Sequence, residues 1–584
     1  MKLLEAHRII GAPADDPQPP RHYVFASGFT PLLLQTFLNA YLRQRTNPRG
    51  ARVTAGRFGD LPGNLERAAA ERPDGVAVAI EWADVDPRLG ARGHGAVAAP
   101  GAADEILASA ERALERIAGR IAQLADGADV AVCLPTLPLP PYFLDLPEVA
   151  GRARLRLDAL LAQFAAAVGG RPRVRVVDAA RLAAASPAGA RWDVAGDLAT
   201  GFPYTREHAE QVGRALAAAL LPAPPKKGLV TDLDDTLWRG IVGEVGAGGV
   251  SWGLEHGTHV HALYQQCLAN LIEAGVLVAV ASKNEAALVA EALGRDDVVV
   301  PAARLYPVHA SWGPKSAALR SILATWNVGA DSVVFVDDSP LELAEVQSAF
   351  PEVECLQFRP DSPAAVLGLL QRLADLFGRE TVRDEDRLRA ESIRNAEAFR
   401  AGVADEGDAD AFLASLGAQV ELAFGRDAGD ARALELVNKT NQFNLNGRRH
   451  TAGDWEAMLA RPDAFLATVS YRDKFGPLGK IAVVAGTASD GEVRVESWVL
   501  SCRAFARRIE HLTLETLFER FGAERAVLDV VRTPRNGPLQ EFVASLGAPL
   551  DADGPVTLAR AEVERRRPAL HHAAVVLDAA DATA

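Results

Sequence analysis

Three apolar runs in this chain, each long enough for one buried strand, stop at residues that phosphoryl chemistry uses. Gly228-Leu229-Val230-Thr231 leads into Asp232-Leu233-Asp234-Asp235-Thr236, the run 276–281 into Ser282-Lys283-Asn284, and the run 332–336 into Asp337-Asp338. Ligands of open parallel sheets gather beyond the carboxyl ends of the strands, so side chains that recur where apolar runs stop imply one shared site. The alternation of strand and helix signals around them constrains residues 225–377 to a doubly wound α/β layer. A strand-to-helix turn capped by Asp and Thr would account for the pentad alone. It does not account for the ordered series.

Each residue type suits a role. Asp232 can attack phosphorus and form an aspartyl-phosphate, which splits one hard displacement into two easier ones. Asp234 lies two residues further along an extended segment and is expected on the same side as the proton carrier. That role needs a pKa above the usual ~3.9, and a second carboxylate nearby raises it, so Asp232 and Asp234 are expected to form an interacting pair. Carboxylates facing a phosphate repel it unless a divalent cation bridges them, and oxygen-only ligands suit Mg²⁺. The ion is assigned to Asp232, the main-chain carbonyl of Asp234, and Asp337; Asp338 is a further candidate site residue. Thr236, Ser282 and Asn284 can bind phosphate oxygens. Lys315, in Trp312-Gly313-Pro314-Lys315-Ser316, precedes an amphipathic helical run over 317–326 and adds positive charge where the transition state is negative.

At 584 residues the chain exceeds one ordinary domain. A formal charge of -14 weighs against a nucleic-acid partner and gives no attraction to anionic membranes. No run is apolar for long enough to span a bilayer, and the first residues lack the apolar core of a signal peptide. Cys133, Cys267, Cys355 and Cys502 show no metal-ligand spacing and read as reduced thiols, so a cytoplasmic protein is expected. The proline-rich stretch Leu221-Pro222-Ala223-Pro224-Pro225-Lys226-Lys227 reads as a stiff linker. Five segments are therefore expected: a first domain over 1–224, the α/β layer over 225–377, a charged connecting helix over 378–407, a last domain over 408–572, and a tail over 573–584.

The four ordered motifs resemble those of the haloacid dehalogenase superfamily. Asp232 to Gly240, Ala281-Ser282-Lys283-Asn284, Trp312 to Ser316 and Val336-Asp337-Asp338-Ser339-Pro340 look like its FkbH branch, and so does Asn438-Lys439-Thr440-Asn441-Gln442-Phe443-Asn444-Leu445. Asp235 and Ser339 stand where members of that branch commonly carry Asn. The resemblance implies an enzyme of polyketide-type assembly lines that takes a glyceryl unit from 1,3-bisphosphoglycerate, releases phosphate and loads the acyl group onto an acyl carrier protein. It also makes Asn438, Thr440, Gln442 and Asn444 candidate site residues.

Residues 408–572 look like the GNAT acetyltransferase fold, an α+β unit. Within it Cys502, in Ser501-Cys502-Arg503, falls at an expected strand-to-helix turn, where an adjacent Arg and a helix's positive end would lower its pKa. Cys502 is expected to carry the glyceryl thioester. Coenzyme A is left open as a ligand, because Ala506 and Arg508 fill both glycine positions of that fold's pyrophosphate loop. Arg507 and Arg508 remain candidates for a carrier's phosphopantetheine phosphate. Tyr23 to Thr30 resembles the first block of SGNH-type hydrolases, a flavodoxin-like α/β fold, with Ser27 after the first strand. That family's late Asp-x-x-His is missing: His208 follows Thr205-Arg206-Glu207. A docking or scaffold role is preferred there over hydrolysis at Ser27. Two rival readings of the whole chain are a stand-alone small-molecule phosphatase with inert flanks and a carrier-docking scaffold without turnover.

Overall fold

The computed structural model describes residues 1–584 apart from 14, 15, 17, 94–100, 142, 144, 145, 147, 381–392, 394–408, 490, 502, 503, 549–553 and 579–584. The chain divides into two units, Met1–Ala223 and Pro224–Ala584. Among the described residues the architecture is α/β, with two parallel sheets and one mixed sheet.

The first unit is built on β1 (Arg21–Ala26), β2 (Ala51–Ala55), β3 (Gly75–Ala79), β4 (Asp129–Cys133) and β5 (Val174–Val176). They form one parallel sheet in the order β2-β1-β3-β4-β5. Alternate residues face opposite sides, as strand geometry requires. Val24, Val76, Val78 and Val130 pack against the helices Leu61–Glu71, Ala102–Ala125 and Arg152–Gly169. Tyr23, Phe25, Ala77 and Ala131 pack against Leu32–Thr46 and Arg206–Leu220. Because both faces are covered, β3 reads Gly-Val-Ala-Val-Ala with every residue buried.

The second unit opens with β6 (Gly228–Thr231), β7 (Leu277–Ser282), β8 (Val308–Ala310), β9 (Val333–Asp337) and β10 (Glu354–Gln357). They are parallel in the order β10-β9-β6-β7-β8, which puts β6 at the centre, between β9 and β7. One face packs on the helices His259–Glu273, Ala286–Leu293 and Pro363–Phe377. The other packs on Lys315–Trp326 and Pro340–Ala349. Gly228 admits the Trp326 indole over the start of β6: a Cβ there would lie 2.3 Å from a ring carbon. The glycine-rich insertion after β6 is a small flap, bridged Asp234 to Trp238 and Arg239 to Ser251, with one helical turn at Val242–Val245.

The mixed sheet of the second unit holds β11 (Gln419–Gly425), β12 (Phe443–Asn444), β13 (Ala464–Asp473), β14 (Gly476–Ser489), β15 (Glu492–Leu500), β16 (Arg525–Val530), β17 (Gly554–Ala559) and β18 (Ala573–Asp578). Its order is β17-β16-β15-β14-β13-β11-β18, with β12 pairing the end of β15. The expected tail over 573–584 is corrected by β18. Residues 573–578 lie parallel along β11, where Ala-Ala-Val-Val-Leu supplies the apolar and branched side chains a strand prefers. The charged connecting helix expected over 378–407 falls almost wholly outside the described residues. Among the described residues no helix is long and apolar enough to cross a membrane.

Candidate active site

β6 delivers Asp232 to the middle of the sheet's carboxyl edge, where its amide donates to the Val336 carbonyl at 2.9 Å. β9 ends one strand over in Asp337. Lys315 is the first residue of the helix Lys315–Trp326, entered from Pro314, whose fixed φ suits the approach to a helix. Its Nζ reaches Asp232 Oδ1 at 2.8 Å, Asp337 Oδ2 at 2.6 Å and Glu342 Oε2 at 2.5 Å. Glu342 Oε1 in turn holds Lys283 Nζ at 2.8 Å. Among the described residues Asp232, Asp337 and Glu342 form an acidic cluster whose ligand atoms lie within 4.8 Å of one another.

This cluster is buried, and burial governs its charge. The Lys315 side chain is 3 % exposed, that of Asp337 0 %. Burial pushes the Asp232 carboxyl up to about 7; the Lys315 ammonium opposes the shift and the Asp337 carboxylate adds to it. Burial likewise raises Asp337 to about 6 against the pull of Lys315. For Lys315, burial disfavours the ammonium, yet Asp232 and Asp337 together hold it charged well above its usual range. Glu342 also meets a desolvation penalty, but Lys283 and Lys315 outweigh it and hold the carboxyl below its usual range. Its place in the first turn of Pro340–Ala349, at the positive end of that helix, further suits an acid.

The partner of Asp232 differs from the expected one. Asp234 points into the flap: its Oδ1 accepts from Trp238 Nε1 at 2.9 Å and from the Val242 amide at 3.1 Å, and its Oδ2 from Asn284 Nδ2 at 2.9 Å. The carboxylate that raises Asp232 is therefore Asp337, across the strand, and not Asp234 along it. Asn284 also donates to Ser282 Oγ at 2.9 Å, so its amide organises the site's own polar groups. Thr236 is buried and its Oγ1 lies 3.4 Å from Asp338 Oδ1. Burial raises the Asp338 carboxyl, and Asp235 raises it further. Asp235 sits at φ +50, a left-handed turn position that Asp tolerates better than most residues, and its Oδ1 accepts from the Gly240 amide at 3.0 Å.

The carboxylate donor set fits a hard divalent cation such as Mg²⁺. Asp232 and the main-chain carbonyl of Asp234 would hold it. Asp337 belongs to the acidic cluster, but Lys315 already engages its Oδ2 and the Ser339 amide its Oδ1 at 2.9 Å. Asp338, the next residue, offers a further carboxylate. Glu342 is the member of the site that sequence reading missed. Its signal was an acid one helical turn beyond Asp337-Asp338.

The remaining candidates divide. Cys502 lies outside the described residues. Asn438, Asn444 and their neighbours serve as staples: Asn438 exchanges two hydrogen bonds with the main chain of His450, and Asn444 accepts from the amides of Asn446 and Gly447 while donating to the Thr440 carbonyl. Ala506 and Arg508 adopt φ +62 and +61, the left-handed conformation glycines would favour. Arg507 is buried, bonded to Asp473 at 3.2 Å and stacked on Tyr471, while Arg508 bonds Asp410 and the Ala569 carbonyl. Both arginines are thus committed to the protein itself.

In the first unit Ser27 is buried and donates to the Phe29 carbonyl at 2.9 Å. His208 is held elsewhere, with Ser186 Oγ 2.9 Å from Nδ1 and Thr136 Oγ1 2.8 Å from Nε2, and burial pushes it down to about 3. Thr136 donates to the fully buried Glu81 at 2.6 Å, and Tyr204 does so at 2.7 Å. Ser27 and His208 are not brought together.

No protein-family model matches the chain, and no curated protein matches it. Among solved structures, the N-terminal part of the protein BF1531 from Bacteroides fragilis, described as containing a phosphatase domain complexed with Mg, is 18% identical; the match covers 65% of this chain and 100% of that one with a TM-score of 0.49. The calicheamicin glycosyltransferase CalG4 (15% identical, 68% and 99% covered) and the β-glycosidase BGL167 (13%, 62% and 84%) superpose with TM-scores of 0.13 and 0.15. Superpositions this loose leave the chemistry to the residues themselves.

Proposed function

We propose that the parallel sheet of the second unit is a Mg²⁺-dependent phosphatase centre of the haloacid dehalogenase type, working in an FkbH-like protein. The observation that carries this reading is the buried contact of Lys315 with both Asp232 and Asp337 at adjacent strand ends. A nucleophile with a pKa near 7 is ionised in a useful fraction at neutral pH, and a fixed ammonium beside it favours the negative phosphoryl group.

An Asp232 oxygen attacks phosphorus and the bond to the substrate's alcohol oxygen breaks. In this scheme Asp234 gives that oxygen its proton, leaving its flap contacts with Trp238, Val242 and Asn284 to do so. Asp234 then takes a proton from water as the water attacks phosphorus, and the aspartyl-phosphate releases inorganic phosphate. Mg²⁺, when bound, would screen Asp232 from the phosphate and polarise a phosphoryl oxygen.

The finer reading is that the substrate is 1,3-bisphosphoglycerate. The Cys502 thiolate attacks its acyl carbon and expels inorganic phosphate from the acyl position, and the resulting thioester passes by exchange to the phosphopantetheine thiol of an acyl carrier protein. The centre at Asp232 removes the other phosphate. Support for this lies in the sequence resemblance of the motifs and of Asn438 to Leu445. The first unit is assigned a docking or scaffold role.

Incubation with Mg²⁺, 1,3-bisphosphoglycerate and a phosphopantetheinylated carrier, followed by intact-mass measurement of both proteins, tests the scheme. Loss of the second, ester-linked phosphate that survives Asp232→Asn would overturn the phosphatase reading. An acyl adduct that survives Cys502→Ala would remove Cys502.

A further inference from the structure

The polar segment around Asn438 to Leu445 was singled out by sequence, and no chemical step above uses its middle. Its fold is that of a bracket. Besides the staples at Asn438 and Asn444, Asn446 Nδ2 donates to the Glu496 carbonyl on β15 at 2.9 Å and to the Asp529 carbonyl on β16 at 3.2 Å. Asn536 Nδ2 reaches the Asn444 carbonyl at 3.0 Å, and Arg449 Nη1 caps the Val437 carbonyl at 2.9 Å. Phe443 and Asn444 pair with Leu500 and Val499, and Phe443 packs among Trp498, Phe505 and Phe542. A segment tied to two strands and to a neighbouring loop is rigid, because each side-chain amide replaces a ladder bond that the irregular backbone lacks.

From this bracket Gln442 reaches out to the other sheet's layer. Its Nε2 donates to Asn327 Oδ1 at 2.6 Å. Asn327 is the left-handed cap, at φ 51, that ends the helix Lys315–Trp326. The opposite end of that helix is Lys315, whose ammonium sits among Asp232, Asp337 and Glu342. Twelve helical residues span about 18 Å at 1.5 Å per residue, and a helix of that length moves as a rod. A shift at Asn327 is therefore felt at Lys315.

We propose that Gln442 is a positioning residue: through Asn327 it fixes the helix that presents Lys315, so that the mixed sheet sets the geometry of the phosphatase centre. The consequence for catalysis rests on the function proposed above; the mechanical link does not. In the full chain, Gln442→Ala is expected to lower kcat for phosphate release about tenfold while KM changes less than twofold. Amide hydrogen exchange over 316–327 is expected to quicken while the rest of the parallel sheet keeps its protection. Gln442→Glu is expected to restore both, because the Asn327 side-chain amide can turn and donate to a carboxylate. Gln442→Glu combined with Asn327→Asp sets two carboxylates face to face and is expected to lose the rescue.

Unchanged exchange over 316–327 in Gln442→Ala overturns the link. Quickened exchange with unchanged kcat, or loss expressed in KM alone, overturns the positioning role. A wild-type chain that releases no phosphate refutes the phosphatase reading and with it the catalytic consequence, while exchange still decides the link.

Discussion

The two parallel sheets of this protein end in very different polar clusters. In the first unit the polar groups around His208 answer one another: Glu81 takes hydrogen bonds from Thr136 and Tyr204, and Thr136 and Ser186 bracket His208. In the second unit two ammoniums, Lys315 and Lys283, meet three carboxylates, which leaves negative charge in excess under burial. A fully satisfied network is a structural element, since no member gains from a visitor. An unbalanced one is poised to bind a cation, and then a phosphate. The same kind of sheet edge therefore supports a scaffold in one unit and chemistry in the other.

The sharpest way to break this comparison is to remove each unit's key residue. Asp232→Asn is expected to lower release of the ester-linked phosphate by at least about 10³-fold, since the nucleophile is gone while the fold's charge balance improves. Lys315→Ala is expected to cost about 10²- to 10³-fold, the usual loss for one preorganised electrostatic donor. It should also destabilise the second unit by about 3–5 kcal/mol in urea unfolding, because Asp232 and Asp337 stay buried without their counter-charge.

Asp232 and His208 should also answer acid in opposite directions. With Asp232 raised from 3.8 to about 7, the folded state keeps a proton that the unfolded chain releases near 4. The metal-free second unit should therefore lose stability as pH rises from about 4 to 7, and the Tm of Asp232→Asn should gain on wild type between pH 5 and pH 8. His208, lowered from 6.5 to about 3, stays neutral when folded. Its contribution is present above 6.5 and lost as pH falls toward 3, whereas Glu81 and Asp84, raised by burial, contribute with the opposite sign; the histidine's part is the protection that wild type loses on acidification, by hydrogen exchange, beyond what His208→Gln loses. Wild type and His208→Gln losing protection equally on acidification would erase the contrast.

Smaller effects sharpen the point. Thr136→Val strips partners from both Glu81 and His208 and is expected to cost the first unit about 1–3 kcal/mol with phosphate release unchanged. Ser27→Ala is expected to change phosphate release by less than twofold, and a fluorophosphonate probe should leave Ser27 unlabelled, since its hydroxyl is spent on the Phe29 carbonyl.

The placement of Asp232, Ser282, Lys315 and Asp337 was readable because apolar runs announce buried strands and chemistry follows where they stop. Geometry between strands was not. The interacting carboxylates sit on adjacent strands, and spacing within one motif could not reveal that Asp337, rather than Asp234, faces Asp232. Glu342 hid in a helical turn that looked like ordinary surface. The stapling of Asn438, Asn444 and Asn446 depends on His450, Glu496, Asp529 and Asn536, partners up to about 90 positions away, as the separation of 92 between Asn444 and Asn536 illustrates. β18 was missed because an alanine-rich end resembles a loose terminus until β11 is known to offer it an edge.

Gly228 carries no functional group, yet it fixes the clearance between the Trp326 end of the lysine helix and the strand that leads to Asp232. A methyl group there would act as a shim, prising rod from ribbon at the end remote from the reaction. Gly228→Ala thus offers a graded mechanical handle on the centre, tuning the reach between ammonium and nucleophile without altering either.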